Sequence, residues 1–177
     1  HAALSSTRVM ATCSILGQAV GVAVAVAKKY SAMPRGVLEH IDELKQALMW
    51  DDCYLPFNKR NISGITRLAR FTASQGDPSL LKSGNDRDEG WTADVGEHIL
   101  CSFNTEQDIK EIRLIFDSDL NRDYHNMPCN YPLNVKGYNL PITLVKEFVI
   151  EAETADGIKV LAHEKNNRKR VYRLAVS

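Results

Sequence analysis

Between Arg8 and Lys28 the chain carries no charged side chain, over the run VMATCSILGQAVGVAVAVA at positions 9–27. A helix that is apolar on every side has to be sheltered from water on most of its circumference. Three environments satisfy that demand. The run is close to the ~20 residues that cross a bilayer, and Gly17 and Gly21 form a small-xxx-small step suited to a membrane helix. Thr12, Ser14 and Gln18 are polar, however, and five alanines contribute little transfer energy. Arg8 before it and Ala25-Val26-Ala27 behind it resemble the layout of an export signal, whose apolar region is here interrupted. The favoured reading is a buried helix packed on a sheet or a cofactor.

Ser5 or Ser6 is placed to cap the start of this helix, and Lys28 and Lys29 complement the negative end of its dipole. One helix over about 6–29 follows. Pro34 then sits where a first-turn proline is welcome, and Val37, Ile41, Leu44 and Leu48 recur at helical spacing. That stripe predicts a second, amphipathic helix ending near Trp50, with Glu39, His40, Asp42, Glu43, Lys45 and Gln46 turned to solvent. From Cys53 to Gly64, Pro56, Asn58, Asn61 and Gly64 interrupt any period, so 53–64 reads as a linker.

Beyond it the period becomes two. Ile99, Cys101 and Phe103 share one face; Ile112, Leu114 and Phe116 share another; Phe148, Ile150 and Ala152 a third. Asp156-Gly157 is a hairpin signal that leads to Ile158, Val160 and Ala162, and Val171 to Val176 supplies a further strand. The expected class is α+β: a helical hairpin over 1–52, the linker, then an antiparallel β-sandwich over 65–177. Lys and Arg number 22 and so do Asp and Glu, which leaves no global field to gather nucleic acid or an anionic membrane.

The familiar catalytic signatures are absent: no glycine-rich dinucleotide or phosphate loop, no H-E-x-x-H, no G-x-S-x-G. Cys13, Cys53, Cys101 and Cys129 contain no C-x-x-C pair, and Cys13 and Cys101 are expected as buried thiols. Asp117, Asp119 and Asn121 have the spacing of calcium ligands, but a strand-end turn is the expected reading. Asp123, His125 and Cys129 offer no metal-ligand spacing, so no metal is expected. Lys165 to Arg173 reads as a solvated sheet face, and Glu106, Asp108 and Glu111 read as surface charge.

One segment is more specific. Ser6 to Gly21 follows S-x-R-V-M-x-T-C-x-x-x-G-Q-A-x-G, and a capped helix start followed by small residues lets backbone N–H groups approach a ligand. Here the sequence resembles the last flavin-contacting segment of FAD-dependent oxidoreductases related to the flavoprotein subunits of fumarate reductase and succinate dehydrogenase. The resemblance covers about the first 50 residues. It implies that Arg8, Val9, Met10, Ala11 and Thr12 lie beside an FAD ring, that Gly17 and Gly21 allow close packing, and that the parent reaction is hydride transfer between an organic substrate and flavin. The family's N-terminal βαβ unit is missing from this sequence, and the chain opens on His1 rather than Met. This chain is therefore expected to be an inactive C-terminal portion that holds no FAD by itself and partners an upstream dinucleotide-binding domain. Its exposed helix is expected to promote self-association.

The β region resembles galactose-binding-like, discoidin-type sandwiches, through 65–74, Gly90-Trp91, 96–99 and 112–122, with fewer strands than such jelly rolls usually have. That resemblance implies a carbohydrate ligand, with Trp91 stacking on a sugar and Asp86, Arg87 and Asp88 binding hydroxyls. A solvated turn with Trp91 packed inward is the plainer reading. Besides the oxidoreductase reading stand a noncatalytic carbohydrate-binding or protein-interaction module, and a membrane-anchored or exported sandwich. The compartment, cytoplasmic or exported, is left open.

Overall fold

The computed structural model describes residues 10–119 and 140–176. In chain order the elements are α1 (Met10–Lys29), a 3₁₀ segment (Pro34–His40), α2 (Ile41–Trp50), α3 (Gly64–Leu68), β1 (Arg70–Ala73), a 3₁₀ turn (Pro78–Lys82), and the strands β2 (Ile99–Ser102), β3 (Glu111–Ile115), β4 (Phe148–Thr154), β5 (Gly157–Glu164) and β6 (Val171–Ala175). Among the described residues all strand pairing is antiparallel, in three two-stranded sheets: β1 with β2, β3 with β6, and β4 with β5. The class is α+β. The chain divides into two compact units between Thr105 and Glu106, so the 53–64 connection lies inside the first.

In the first unit both long helices stop in the same way. After α1, Ala32 N–H donates to Ala27 C=O at 2.9 Å and Ser31 N–H to Lys28 C=O at 3.3 Å, with Ser31 at φ 51°. After α2, Cys53 donates to Leu48 at 2.9 Å and Asp52 to Met49 at 3.1 Å, with Asp52 at φ 65°. This is the 6→1 and 5→2 pair that satisfies the last carbonyls of a helix, built here without glycine. The expected single helix from Pro34 to Trp50 is broken at His40 (φ −117°, ψ 23°), where a 3₁₀ segment gives way to α2. The apolar stripe survives the break. Val37, Leu48 and Met49 are buried, with Ile41 and Leu44 half-buried between them.

The connection is fastened by a close crossing of two backbones. Arg60 N–H donates to Gly84 C=O at 2.9 Å, and a Cβ on Gly84 would lie 2.3 Å from the Arg60 carbonyl oxygen. Gly84 also sits at φ +73°, which side chains rarely adopt. Ser63 caps α3 by accepting from Thr66 N–H at 3.2 Å, and Asp77 caps the next turn by accepting from Ser79 N–H at 2.8 Å.

In the second unit the ring of Phe148 on β4 lies 5.0 Å from Phe116 and 4.9 Å, edge-on, from Tyr172 on β6, which joins the β4–β5 and β3–β6 sheets. Phe116 N–H donates to Arg170 C=O at 2.8 Å and extends the β3–β6 ladder. Asn167 is 3% exposed and fully bonded: its amide donates to Val145 C=O (2.9 Å) and Lys169 C=O (3.0 Å), and its oxygen accepts from Lys169 N–H (2.9 Å). Within the basic 165–173 stretch, Lys165, Arg168, Lys169 and Arg173 are exposed as expected, whereas Arg170 is half-buried and donates to Phe116 C=O at 2.9 Å.

One strand departs from its expected face. The Asp156-Gly157 turn forms, with Thr154 paired to Gly157, and Phe148, Ile150 and Ala152 turn inward on β4. Between Ile150 and Glu151, however, the register slips: Ile150 pairs with Ala162, but Glu151 pairs with Val160. The extra residue, Leu161, moves everything towards the turn to the other face. Ile158 is therefore 75% and Val160 56% exposed, opposite Glu153 and Glu151.

Gly84→Ala is expected to cost about 2–4 kcal/mol, from the left-handed backbone and the clash with Arg60. Gly90→Ala, where an added Cβ meets nothing within 4 Å, should stay within about 0.5 kcal/mol. Urea denaturation of the two variants checks the contrast. Asn167→Ala should cost about 1–3 kcal/mol, because it removes three partly buried hydrogen bonds between a buried side chain and the backbone; equal midpoints for Asn167→Ala and the parent chain would refute that role.

Candidate functional site

The surface of α1 is unlike that of any other described element. Ala19, Val22, Ala23, Val26 and Ala27 form its half-covered stripe, and among the described residues of α1 only Val26, at 5% exposure, is buried. The other sides lie open, with Met10 90% and Val20 62% exposed and Ile15, Leu16 and Val24 comparably bare. Within this chain, α1 is thus covered only at its last turns. Gly17 and Gly21, one turn apart, have nothing within 4 Å of the position a Cβ would take. Cys13, expected inside, is exposed. No described helix is long and apolar enough to cross a membrane.

What fixes α1 is a polar cluster at its C-terminal end. Glu43 on α2 accepts from Lys29 Nζ at 2.8 Å and from the Tyr30 hydroxyl at 2.6 Å, and the Tyr30 ring stacks flat on His40, centroids 3.6 Å apart. The hydrogen bonds from Lys29, and then Tyr30, hold the Glu43 carboxyl below the usual carboxylate range; donating that bond to Glu43 raises Lys29. One helical turn further along, Gln46 accepts from Asn61 N–H at 2.7 Å and donates to Lys59 C=O at 3.0 Å. The face of α2 expected to meet solvent thus fastens two neighbours. Sequence reading missed this because the partners of Glu43 and Gln46 lie 13 to 15 positions away, off any helical period.

Of the residues that the flavin resemblance singles out, Met10, Ala11, Thr12, Gly17 and Gly21 lie on α1, while Arg8 and Val9, like the proposed caps Ser5 and Ser6, fall outside the described residues. Met10 and the two glycines are exposed and Thr12 is half-buried.

The Trp91 group is knit into the fold of the first unit. Trp91 is half-buried, its Nε1–H donates to Gln75 C=O at 2.6 Å, and its ring edge lies against Gly76. Asp86 accepts two bonds from the Arg60 guanidinium, at 2.6 and 3.0 Å, and Arg87 lies 4.9 Å from the centre of the Tyr54 ring. Asp88 is exposed, and its N–H donates to Asn85 Oδ1 at 3.4 Å. The arrangement therefore spends Trp91, Asp86 and Arg87 on internal contacts.

Beside β1 an open groove is lined by Ala69, Arg70, Phe71, Pro78, Ser79 and Lys82. Lys82 Nζ donates to the Arg67 and Ala69 carbonyls and lies 5.5 Å from the Phe71 ring centre. Cys101, across the ladder from Phe71, lies on the outer surface rather than inside, yet partial burial still raises its thiol, with Lys82 opposing. Asp117 accepts from Asp119 N–H at 2.9 Å in the expected strand-end turn. Asn121, Asp123, His125 and Cys129 lie outside the described residues. Among the described residues, no three of His, Cys, Asp and Glu are grouped to hold a metal ion.

Compared with protein-family models, residues 1–48 match the family described as FAD dependent oxidoreductase. The matched stretch contains all of α1 and most of α2, and leaves the strands outside. No curated protein and no solved structure matches the chain. The N-terminal helices are thus similar to part of an FAD-dependent oxidoreductase.

The Glu43 bridge gives α1 an acid-sensitive seat. A carboxyl held low in the folded chain contributes stability that is present above its unfolded value, near 4.5, and is lost as pH falls through the folded one. The melting temperature should therefore fall slightly as pH drops below that unfolded value, and Glu43→Gln should lack this step while changing little at neutral pH, because the pair is exposed. An unchanged acid step in Glu43→Gln would remove Glu43 from this role.

Proposed function

We propose that this chain is the C-terminal part of an FAD-dependent oxidoreductase, in which α1 lies against the flavin and the strands form an accessory β module. The observation that carries the reading is the coincidence, on one helix, of the family match over 1–48 with a charge-free, exposed surface. An isolated helix of this composition has no reason to shed every charge over 9–27, whereas one enclosed by a protein body and an aromatic cofactor has.

The residues present fit such a role. Open space over Gly17 and Gly21 admits a flat ring or a closely packed backbone, and no charge on that side has to be desolvated. Bound FAD supplies hydride acceptance and donation. The part left to this chain is to exclude water from one side of the ring and, through backbone N–H groups near Met10, Ala11 and Thr12, to stabilise negative charge at its pyrimidine edge. Glu43, through Lys29 and Tyr30, positions the helix that does so. The phosphates of the cofactor need the glycine-rich turn of an upstream dinucleotide-binding domain, so this chain alone is inactive in the proposal. The finer relation, to the fumarate reductase and succinate dehydrogenase flavoproteins, rests on Ser6 to Gly21.

For the strands we propose a galactose-binding-like, discoidin-type module, supported by antiparallel pairing throughout and by the packing of two sheets around Phe148. The alternative reading, a noncatalytic carbohydrate-binding or interaction module, draws its support from the Trp91 turn. Its Trp91, Asp86 and Arg87 have internal partners, which makes it the weaker of the two.

The test uses the product of the complete gene. Purified gently, it should carry flavin by its visible absorption, and Gly17→Val with Gly21→Val should weaken flavin retention at least about tenfold by closing the open face. A colourless full-length product, or a doubly substituted one that holds flavin as well as the parent, would overturn the assignment.

A further inference from the structure

The bulge in the β4–β5 hairpin leaves six paired side chains of the second unit exposed on one face. Val149, Glu151 and Glu153 of β4 share one face with their partners His163, Val160 and Ile158 on β5, and all six are exposed. Glu147, two residues before Val149, joins that side and bonds His163 at 2.9 Å. The face therefore carries three aliphatic side chains in line with three carboxylates, on a chain whose total charge is balanced. Without the extra Leu161, the pairing of Ile150 with Ala162 would continue as Ala152 with Val160, and Val160 would face inward. The bulge thus re-aims Val160 and Ile158 into water and beside glutamates, an arrangement that only a second surface can desolvate with profit.

We propose that this outward face of the β4–β5 hairpin is a docking surface for a protein partner that presents lysine or arginine side chains alternating with aliphatic ones. Charge complementarity selects that occupant. Glu151 and Glu153 flank Val160 and Ile158 across the ladder, so a partner must bring positive charge at strand spacing while covering the aliphatics between. The same carboxylates repel an anionic lipid surface and disfavour a second copy of the identical face. The inference is independent of the flavin reading.

The experiment titrates the 177-residue chain, by backbone amide NMR, with a soluble peptide alternating lysine and valine, and with its glutamate–valine counterpart. Shift changes should centre on 147–153 and 158–163 for the basic peptide alone and weaken as salt is raised. Glu151→Lys with Glu153→Lys should lower the affinity at least about tenfold and transfer binding to the acidic peptide. Ile158→Ser with Val160→Ser should abolish binding of either peptide. All four positions are exposed, and thermal unfolding confirms that the variants stay folded. Failure to bind the basic peptide, equal binding of both, shifts centred elsewhere, or a dimer that Ile158→Ser with Val160→Ser dissociates would each overturn the proposal.

Discussion

The constraint on which the first unit turns is that α1 has no charge with which to face water and, within this chain, little to face instead. Its last turns seat Val26 against the Pro34–Trp50 region, and Glu43 clamps Lys29 and Tyr30. The preceding turns, with Met10, Ile15, Leu16 and Val20, stand open. Burying an aliphatic side chain of this size is worth roughly 1.5–3 kcal/mol, so several such chains left exposed are a large forfeited stabilisation. The cover that would recover it is the environment for which the sequence of α1 is suited.

The polar cluster gives that environment a geometry. A helix held only by apolar contact can roll, whereas the Tyr30–His40 stack and the two bonds into Glu43 define which side of α1 faces α2 and hence which side, with Gly17 and Gly21, stays open. These groups lie near the surface, and exposed ion pairs contribute little to stability. Their effect is on orientation. In the second unit the corresponding element is Phe148, whose contacts with Phe116 and Tyr172 hold two narrow sheets together where neither has enough area to persist alone.

Much of this was legible in the sequence. The uncharged run gives α1 to within a few residues, the Val37–Leu48 stripe marks the covered side of the second helical region, and the alternation at Phe148, Ile150 and Ala152 places β4. What failed has local physical causes. A bulge adds one residue without altering composition, so Ile158 and Val160 kept a convincing period on the wrong face. His40 reads as an ordinary polar helix position, yet its stacking on Tyr30 accompanies a break from 3₁₀ to α geometry. The roles of Glu43, Gln46 and Asn167 depend on partners far along the chain that no periodicity announces. The contacts of Asp86, Arg87 and Trp91 with Arg60, Tyr54 and Gln75 agree instead with the plainer expectation of a turn with Trp91 packed inward. The segment that matches the oxidoreductase family was recognisable because it is a detailed local pattern, which folding does not rearrange.

The central claim, that α1 is sheltered by a flavin-bearing body, is tested most directly by the accessibility of Cys13, which sits on α1 and is exposed in this chain. Thiol labelling followed by mass spectrometry should find Cys13 reactive in the 177-residue chain and strongly protected in the flavin-loaded product of the complete gene, with Cys101 as the internal reference. Equal reactivity of Cys13 in both would contradict the account.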